Sequence, residues 1–262
     1  MSSPLQHQRI LITRPAHQCG GWRDLLLAQG AEADCIPLLD IAPIKKGDAA
    51  QAIKSLIMDF DQFDHAIFVS QNAVQYAFDW LDDYWPQLPE GPRYYAIGAA
   101  TARAIQNRGA EPETDNHNTS MDSEALLSLP GLRSPMGQRV IIFRGQGGRT
   151  LMGDTLVERG ARLDYCELYQ RLLPADAEEQ LRSYPHTPQA ITVHSGETLD
   201  NLQHALQASG RNTLRACPLI CPSQRVASHA KALGFTQAYA ASNASDNAML
   251  AALKEVLAAG HS

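Results

Sequence analysis

Six short segments combine small or hydroxyl-bearing residues with the start of a helical pattern. They are Thr13-Arg14-Pro15, Ser70-Gln71-Asn72, Gly98-Ala99-Ala100-Thr101, Arg144-Gly145-Gln146-Gly147-Gly148-Arg149, His194-Ser195-Gly196-Glu197 and Pro222-Ser223-Gln224-Arg225. Each follows an apolar run of strand length. In an open α/β sheet such loops sit at the C-terminal ends of the strands, where ligands collect. Unpaired backbone N–H groups and the helix dipole favour a carboxylate or phosphate there. Ser70, Asn72, Ser195 and Ser223 could equally do no more than cap helices. Six such loops facing one cleft would form a receptor for a polyanion, with Arg14, Arg144 and Arg149 free either to pair with its carboxylates or to make surface salt bridges.

Other chemistries fit poorly. The glycines of RGQGG do not make GxGxxG, and GxxxxGK[ST] is absent, which argues against a nucleotide. Ser195 lies in HSGET rather than GxSxG, without an Asp–His continuation. The nine histidines do not cluster and HExxH is missing, so no metal site is expected. His194 is the histidine at a strand end, and it reads as structural or solvent-facing rather than as a base. Tyr165 and Tyr169 fall on one face of a long strand. A tyrosine there could donate a proton weakly or simply pack.

Composition sets the frame. The chain has 262 residues, 44% hydrophobic and 19% charged, a core-forming mixture long enough for one large or two modest domains. The net charge of −6 argues against a general nucleic-acid binder. Cys19, Cys35, Cys166, Cys217 and Cys221 are odd in number and form no CxxC, so all five are expected as free, mostly buried thiols in a reducing compartment. Cys217 and Cys221 are expected on one face of a strand. The N-terminus lacks a secretion signal and no window holds 18 consecutive apolar residues, which predicts a cytosolic protein that does not span a membrane.

The elements that must position these loops alternate as strands and helices, the pattern of parallel sheets covered on both faces. Ten strands are expected, near 9–13, 32–36, 37–44, 66–69, 94–97, 139–143, 162–170, 190–193, 219–221 and 238–239. Helices fall between them, with a polar loop over 111–120 and a short helix at 123–128 ended by Pro130-Gly131. An internal repeat chooses between a barrel and two sheets. At an offset of 130, Arg9, Ile12, Arg14, Asp24, Leu26, Gly30, Ala31, Asp34 and Leu38 meet Arg139, Ile142, Arg144, Asp154, Leu156, Gly160, Ala161, Asp164 and Leu168. A weaker echo at offset 125 aligns Ser70 with Ser195. The predicted organisation is therefore a discontinuous α/β domain of residues 1–37 and 172–262, and an inserted α/β domain of 38–171. Extended crossings lie near 37–44 and 166–171.

Residues in this order resemble the uroporphyrinogen-III synthase family: ILITRP, GAEADCIPLLDIAP, FVSQNAVQYAF, YAIGAATARAIQNRG, SEALL, VIIFRGQGGRTLMGDTLVERGARLDYCELYQR, HSGETLDNL and PSQRVASHAKALGF. The single motifs are loose, whereas their order and spacing cover nearly the whole chain. The resemblance implies two flavodoxin-like doubly wound parallel-sheet domains joined by a two-stranded linker. It implies a lyase that cyclises hydroxymethylbilane, a linear tetrapyrrole bearing carboxylates, with inversion of ring D. It further implies no cofactor, a monomer, and at most a transient contact with hydroxymethylbilane synthase. The family's cleft tyrosine matches Tyr169, as a modest aid to departure of the terminal hydroxyl. Thr101 matches a first-domain threonine, with Gly98 and Ala99 before it. Ser70, Gln71 and Asn72 match one binding loop and Ser195 with Gly196 the other, while Pro222 and Ser223 are further candidates for substrate binding. Val69 and His194 stand where the family often has threonine, and Val226 stands parallel to Thr101. The competing readings are a non-catalytic bilobed binder of organic anions, an inactive synthase-like interaction protein, and a nucleotide-sugar transferase.

Overall fold

Apolar runs too short for helices become strands buried on both faces, and the amphipathic stretches between them become the covering helices. A computed structural model describes residues 4–113 and 122–259. The chain opens with β1 (Arg9–Ile12), α1 (Ala16–Leu27) and β2 (Glu32–Cys35). Next come β3 (Asp40–Pro43), α2 (Gly47–Met58), β4 (His65–Phe68), α3 (Gln71–Tyr84), β5 (Arg93–Ala96) and α4 (Ala99–Gln106). From residue 122 onward follow α5 (Ser123–Leu127), α6 (Pro130–Arg133), β6 (Arg139–Gly145), α7 (Leu151–Glu158) and β7 (Arg162–Leu172). The last third holds α8 (Ala177–Ser183), β8 (Ala190–Thr192), α9 (Gly196–Ser209), β9 (Leu219–Cys221), α10 (Gln224–Ala232), β10 (Ala238–Ala240) and α11 (Asp246–Ala259).

The chain divides into two compact units, one of residues up to Ile41 with those from Leu172 onward, the other Ala42–Arg171. The first boundary falls four residues later than the sequence suggests. Leu38 explains this: it is fully buried in the first unit's core, its N–H donates to Thr13 O, and its carbonyl accepts from Asn201 Nδ2 at 2.7 Å.

In the first unit the strands run in the order β10-β9-β8-β1-β2, with neighbouring strands parallel. Counted within the unit this is the flavodoxin-like order 2-1-3-4-5. Side-chain alternation splits the core into two layers. Leu11, Ile191 and Val193 face α8, α9 and α10, while Ile10, Ile12 and Ala190 face α1 and α11.

The second unit has the order β3-β7-β6-β4-β5. Ile67, Val140 and Ile142 pack under α5, α6 and α7. On the opposite face Phe68 stacks on Phe143 at 4.8 Å between ring centroids and meets Phe78 of α3 at 5.8 Å. Beyond β5, Pro112 bridges Tyr94 in parallel, a single-residue counterpart of the edge strand β10.

The repeat is visible in the contacts. Arg9 pairs with Asp34 at 3.0 Å across β1 and β2, and Arg139 pairs with Asp164 at 3.6 Å across β6 and β7. Gly30 and Gly160, at φ +81° and +86°, end α1 and α7 in the left-handed conformation that favours glycine.

Four expectations change. Cys19 and Cys35 are disulfide-bonded, because the first turns of α1 lie beside the end of β2; Cys166, Cys217 and Cys221 are free and buried. Cys217 precedes β9 rather than sharing a strand with Cys221. Pro130 opens the short helix α6 instead of ending α5, since its fixed φ suits a first helical position. Tyr165 and Tyr169 do not share a face. The β6–β7 register shifts at Arg144/Gly145, so that Gly145 pairs with Tyr169, and the extra residue on β7 reverses the alternation. Of the loop expected over 111–120, residues 114–120 lie outside the described residues.

Candidate active site

The second unit gathers most of the expected residues at the C-terminal ends of its strands. Ser70, after β4, has extended backbone, and its Oγ accepts the Ala73 N–H at 3.1 Å, capping α3. Gln71 is exposed at the first helical position. Asn72 lies half-buried one residue further and does not cap the helix. Gly98 opens α4 at φ +84°, Ala99 begins the helix, and Thr101 is buried in its first turn.

Tyr169 is fully buried on the α3 side of the sheet. Its hydroxyl lies 3.1 Å from Ser70 Oγ, and its ring is 5.6 Å from that of Tyr76. The ring lies so close over Gly145 that a Cβ there would sit 2.4 Å from Tyr169 Cε2. Arg171 stands over the same ring at 5.8 Å.

On the other side of the sheet, a cavity of about 880 Å³ is lined by Val69, Ile97, Arg149, Tyr165, Arg171 and the start of α7 among others. Arg144 lines it too, but its guanidinium is committed to the fold. It donates to the carbonyl oxygens of Gly145 (3.3 Å) and Arg149 (3.1 Å), and it lies 4.8 Å over the Tyr165 ring. Only 5% of Arg144 is exposed, whereas the Arg149 side chain stands in solvent. Burial raises the affinity of the Tyr165 hydroxyl for its proton, partly offset by the nearby Arg144 charge.

In the first unit, Ser195 caps α9 by accepting the Thr198 N–H at 3.0 Å, and Ser223 caps α10 by accepting from Val226 at 3.4 Å. Gly196 begins α9, and Pro222 is buried ahead of Ser223. Arg14 pairs with Asp246 at 2.5 Å and lies 5.5 Å over the Trp22 ring. His194 meets Trp22 edge to face at 5.7 Å. Neither of its ring nitrogens has a hydrogen-bond partner among the described residues, and neither reaches solvent. Burial, then the Arg14 charge, push its pKa down to about 3, so the ring stays neutral. His194 is therefore not solvent-facing.

Sequence reasoning missed Asp246, Trp22, Tyr76 and Arg171. Asp246 carried a signal as a helix-opening acid, but its pairing with Arg14 spans 232 residues. Among the described residues no group of three or more His, Cys, Asp or Glu could hold a metal ion, and no helix is long and apolar enough to cross a membrane.

Fold and loops define an α/β protein of two flavodoxin-like units with small, hydroxyl-bearing, donor-rich turns at the strand C-termini. The family model described as uroporphyrinogen-III synthase HemD matches residues 21–251. The uroporphyrinogen-III synthase of Escherichia coli K12 is 34% identical over 251 residues, spanning 94% of this chain and 99% of the relative. That of Salmonella typhimurium is also 34% identical, with the same coverage. A crystal structure of mutant uroporphyrinogen III synthase from Thermus thermophilus superposes with TM-score 0.61 at 16% identity, over 96% of this chain and 99% of that one. The Helicobacter pylori structure gives 0.58 at 14% identity, over 95% and 99%. The chain belongs to the uroporphyrinogen-III synthase family, whose members are cyclising lyases of haem biosynthesis.

Proposed function

We propose that the protein cyclises hydroxymethylbilane to uroporphyrinogen III. Loss of the terminal hydroxyl as water leaves an azafulvene. The substituted carbon of ring D attacks it to form a spiro-pyrrolenine, which fragments and recloses with that ring inverted. The bilane is reactive by itself, so the protein's task is chiefly to hold one folded conformation of it. Substrate acetates and propionates fall to the helix-start donors of Ser70, Gln71, Asn72, Gly98, Ala99, Ser195, Gly196 and Ser223. Arg149 adds charge from one wall of the second unit's cavity, and Arg14 joins on release from Asp246. Pro222 and Thr101 shape the backbone of their loops, Arg144 acts by holding its own loop, and Tyr169 contributes to catalytic efficiency. The protein works as a cytosolic monomer without metal or organic cofactor, receiving its substrate from hydroxymethylbilane synthase by diffusion or transient contact.

The observation that carries this reading is the family match over residues 21–251, which takes in nearly every one of these loops. The test is a product assay. Bilane freshly made by its synthase is incubated with the protein, oxidised, and its porphyrin isomers separated. Isomer III in catalytic excess supports the reading. Isomer I alone, from protein shown to be folded, overturns it in favour of a binding protein.

A further inference from the structure

Tyr169 is buried on every side, yet it carries a hydroxyl. A buried phenol must place its proton on an acceptor, because an unpaired O–H in an apolar surrounding is costly. Among the described residues the hydrogen-bond partner of this phenol is Ser70 Oγ, at 3.1 Å. Tyr169 is therefore the donor of that bond. Ser70 Oγ also accepts the Ala73 N–H at 3.1 Å, so both of its lone pairs are occupied. Its own proton is the one hydrogen-bonding capacity left. Ser70 is half-buried while Tyr169 is fully buried, and this proton points away from the two donors.

We propose that Tyr169 is a positioning residue that acts through Ser70, fixing the seryl hydroxyl as an outward donor to a carboxylate of the substrate without itself touching substrate. This rests on the reading of the protein as the synthase. The acceptor is an anion rather than the departing hydroxyl because Ser70 stands at the N-terminus of α3, a helix of 14 residues. The unpaired first-turn N–H groups and the dipole add to the same charge there. Gly145 belongs to the device, since only a residue without a side chain lets the Tyr169 ring lie where its hydroxyl reaches Ser70.

Steady-state kinetics with isomer separation test this on the full chain, with Tyr169→Phe, Ser70→Ala and the double variant. A donor to a carboxylate contributes to ground state and transition state alike, so its loss raises KM and leaves kcat nearly unchanged. Ser70→Ala is expected to raise KM about tenfold and Tyr169→Phe a few-fold. The double variant should be no worse than Ser70→Ala alone, because Tyr169 has nothing left to orient. Ser70→Asp keeps the helix cap but has no proton to give, so it should bind at least as weakly as Ser70→Ala. It covers the case in which loss of the cap unfolds that variant.

Three outcomes overturn the proposal. A fall in kcat at constant KM for Tyr169→Phe would mean that the phenol acts on the reacting atoms directly. Multiplying effects in the double variant would mean that the two residues act separately. Wild-type KM in Ser70→Asp would mean that no seryl donor is used. In each of these cases isomer III is still formed, whereas failure of the synthase reading itself appears as isomer I from the unmodified protein.

Discussion

The Arg144 guanidinium donates to the main-chain carbonyl of Arg149 at 3.1 Å, so one arginine of this loop fixes the backbone from which the other projects. The side chains have parted company: Arg144 is buried against Tyr165 and Gly148, and Arg149 is exposed at the cavity. Two arginines that look interchangeable in the sequence are thus expected to fail differently. Arg144→Ala should lower stability by about 2–3 kcal/mol through lost loop bonds and packing. Arg149→Ala should leave stability within about 0.5 kcal/mol and weaken substrate binding. Urea midpoints alongside KM for both variants check this, and a reversed pattern would reassign the two residues.

Gly145→Ala brings a methyl to 2.4 Å from Tyr169 Cε2. The ring must move, at a cost of about 1–3 kcal/mol, and its hydroxyl leaves Ser70. Thermal melts should show the loss, and the raised KM of Tyr169→Phe should appear in a protein that still carries the tyrosine. An unchanged KM with an unchanged melt would show that the contact with Gly145 does not hold the ring.

His194 sets an acid-side slope on stability. Its pKa in the folded chain lies near 3, against 6.5 for an ordinary histidine, and Arg14 opposes any added charge. Asp246 is held by Arg14, and Trp22 presents an uncharged ring edge. The unfolded chain takes up the proton first. Stability from this group is therefore full above pH 6.5 and is lost as pH falls toward 3, by up to about 2 kcal/mol at pH 5. His194→Thr removes the titrating group, so its ΔG of unfolding should fall less between pH 7 and 5 than that of the parent. Parallel curves would assign the acid sensitivity elsewhere.

The Cys19–Cys35 disulfide closes a loop of sequence separation 16. Thiol titration of unreduced, denatured protein should count three free cysteines, rising to five after reductant. Reduction should lower stability by about 3 kcal/mol, the usual scale for a loop of this size. Five thiols before reduction would show that the pair is open in solution.

What the sequence made legible is what repeats or alternates locally. Arg9 with Asp34 and Arg139 with Asp164 stand in the sequence at one spacing, and the fold turns both into cross-strand ion pairs. Ser70, Ser195 and Ser223 announced helix caps by type and place, and each is one. The misses depend on distance or register. Nothing near Arg14 in sequence names Asp246, and nothing near Cys19 shows that Cys35 will lie beside it. The β7 bulge leaves no compositional mark, yet one extra residue moves Tyr169 to the face opposite Tyr165 and decides which partner its hydroxyl finds.

The permuted strand order also has a timetable. In the second unit, β6 and β7, the counterparts of β1 and β2, come last, and the whole unit is one continuous stretch from Ala42 to Arg171. In the first unit, β1 waits for β8, which begins at Ala190, before its inner edge is paired. As the chain leaves the ribosome, the later-starting unit is therefore complete while the N-terminal β1-α1-β2 unit still supplies only two of the five strands of its sheet. The segment made first is the one that finishes folding last, and until then its exposed strand edge is the nascent chain's point of vulnerability to misassociation.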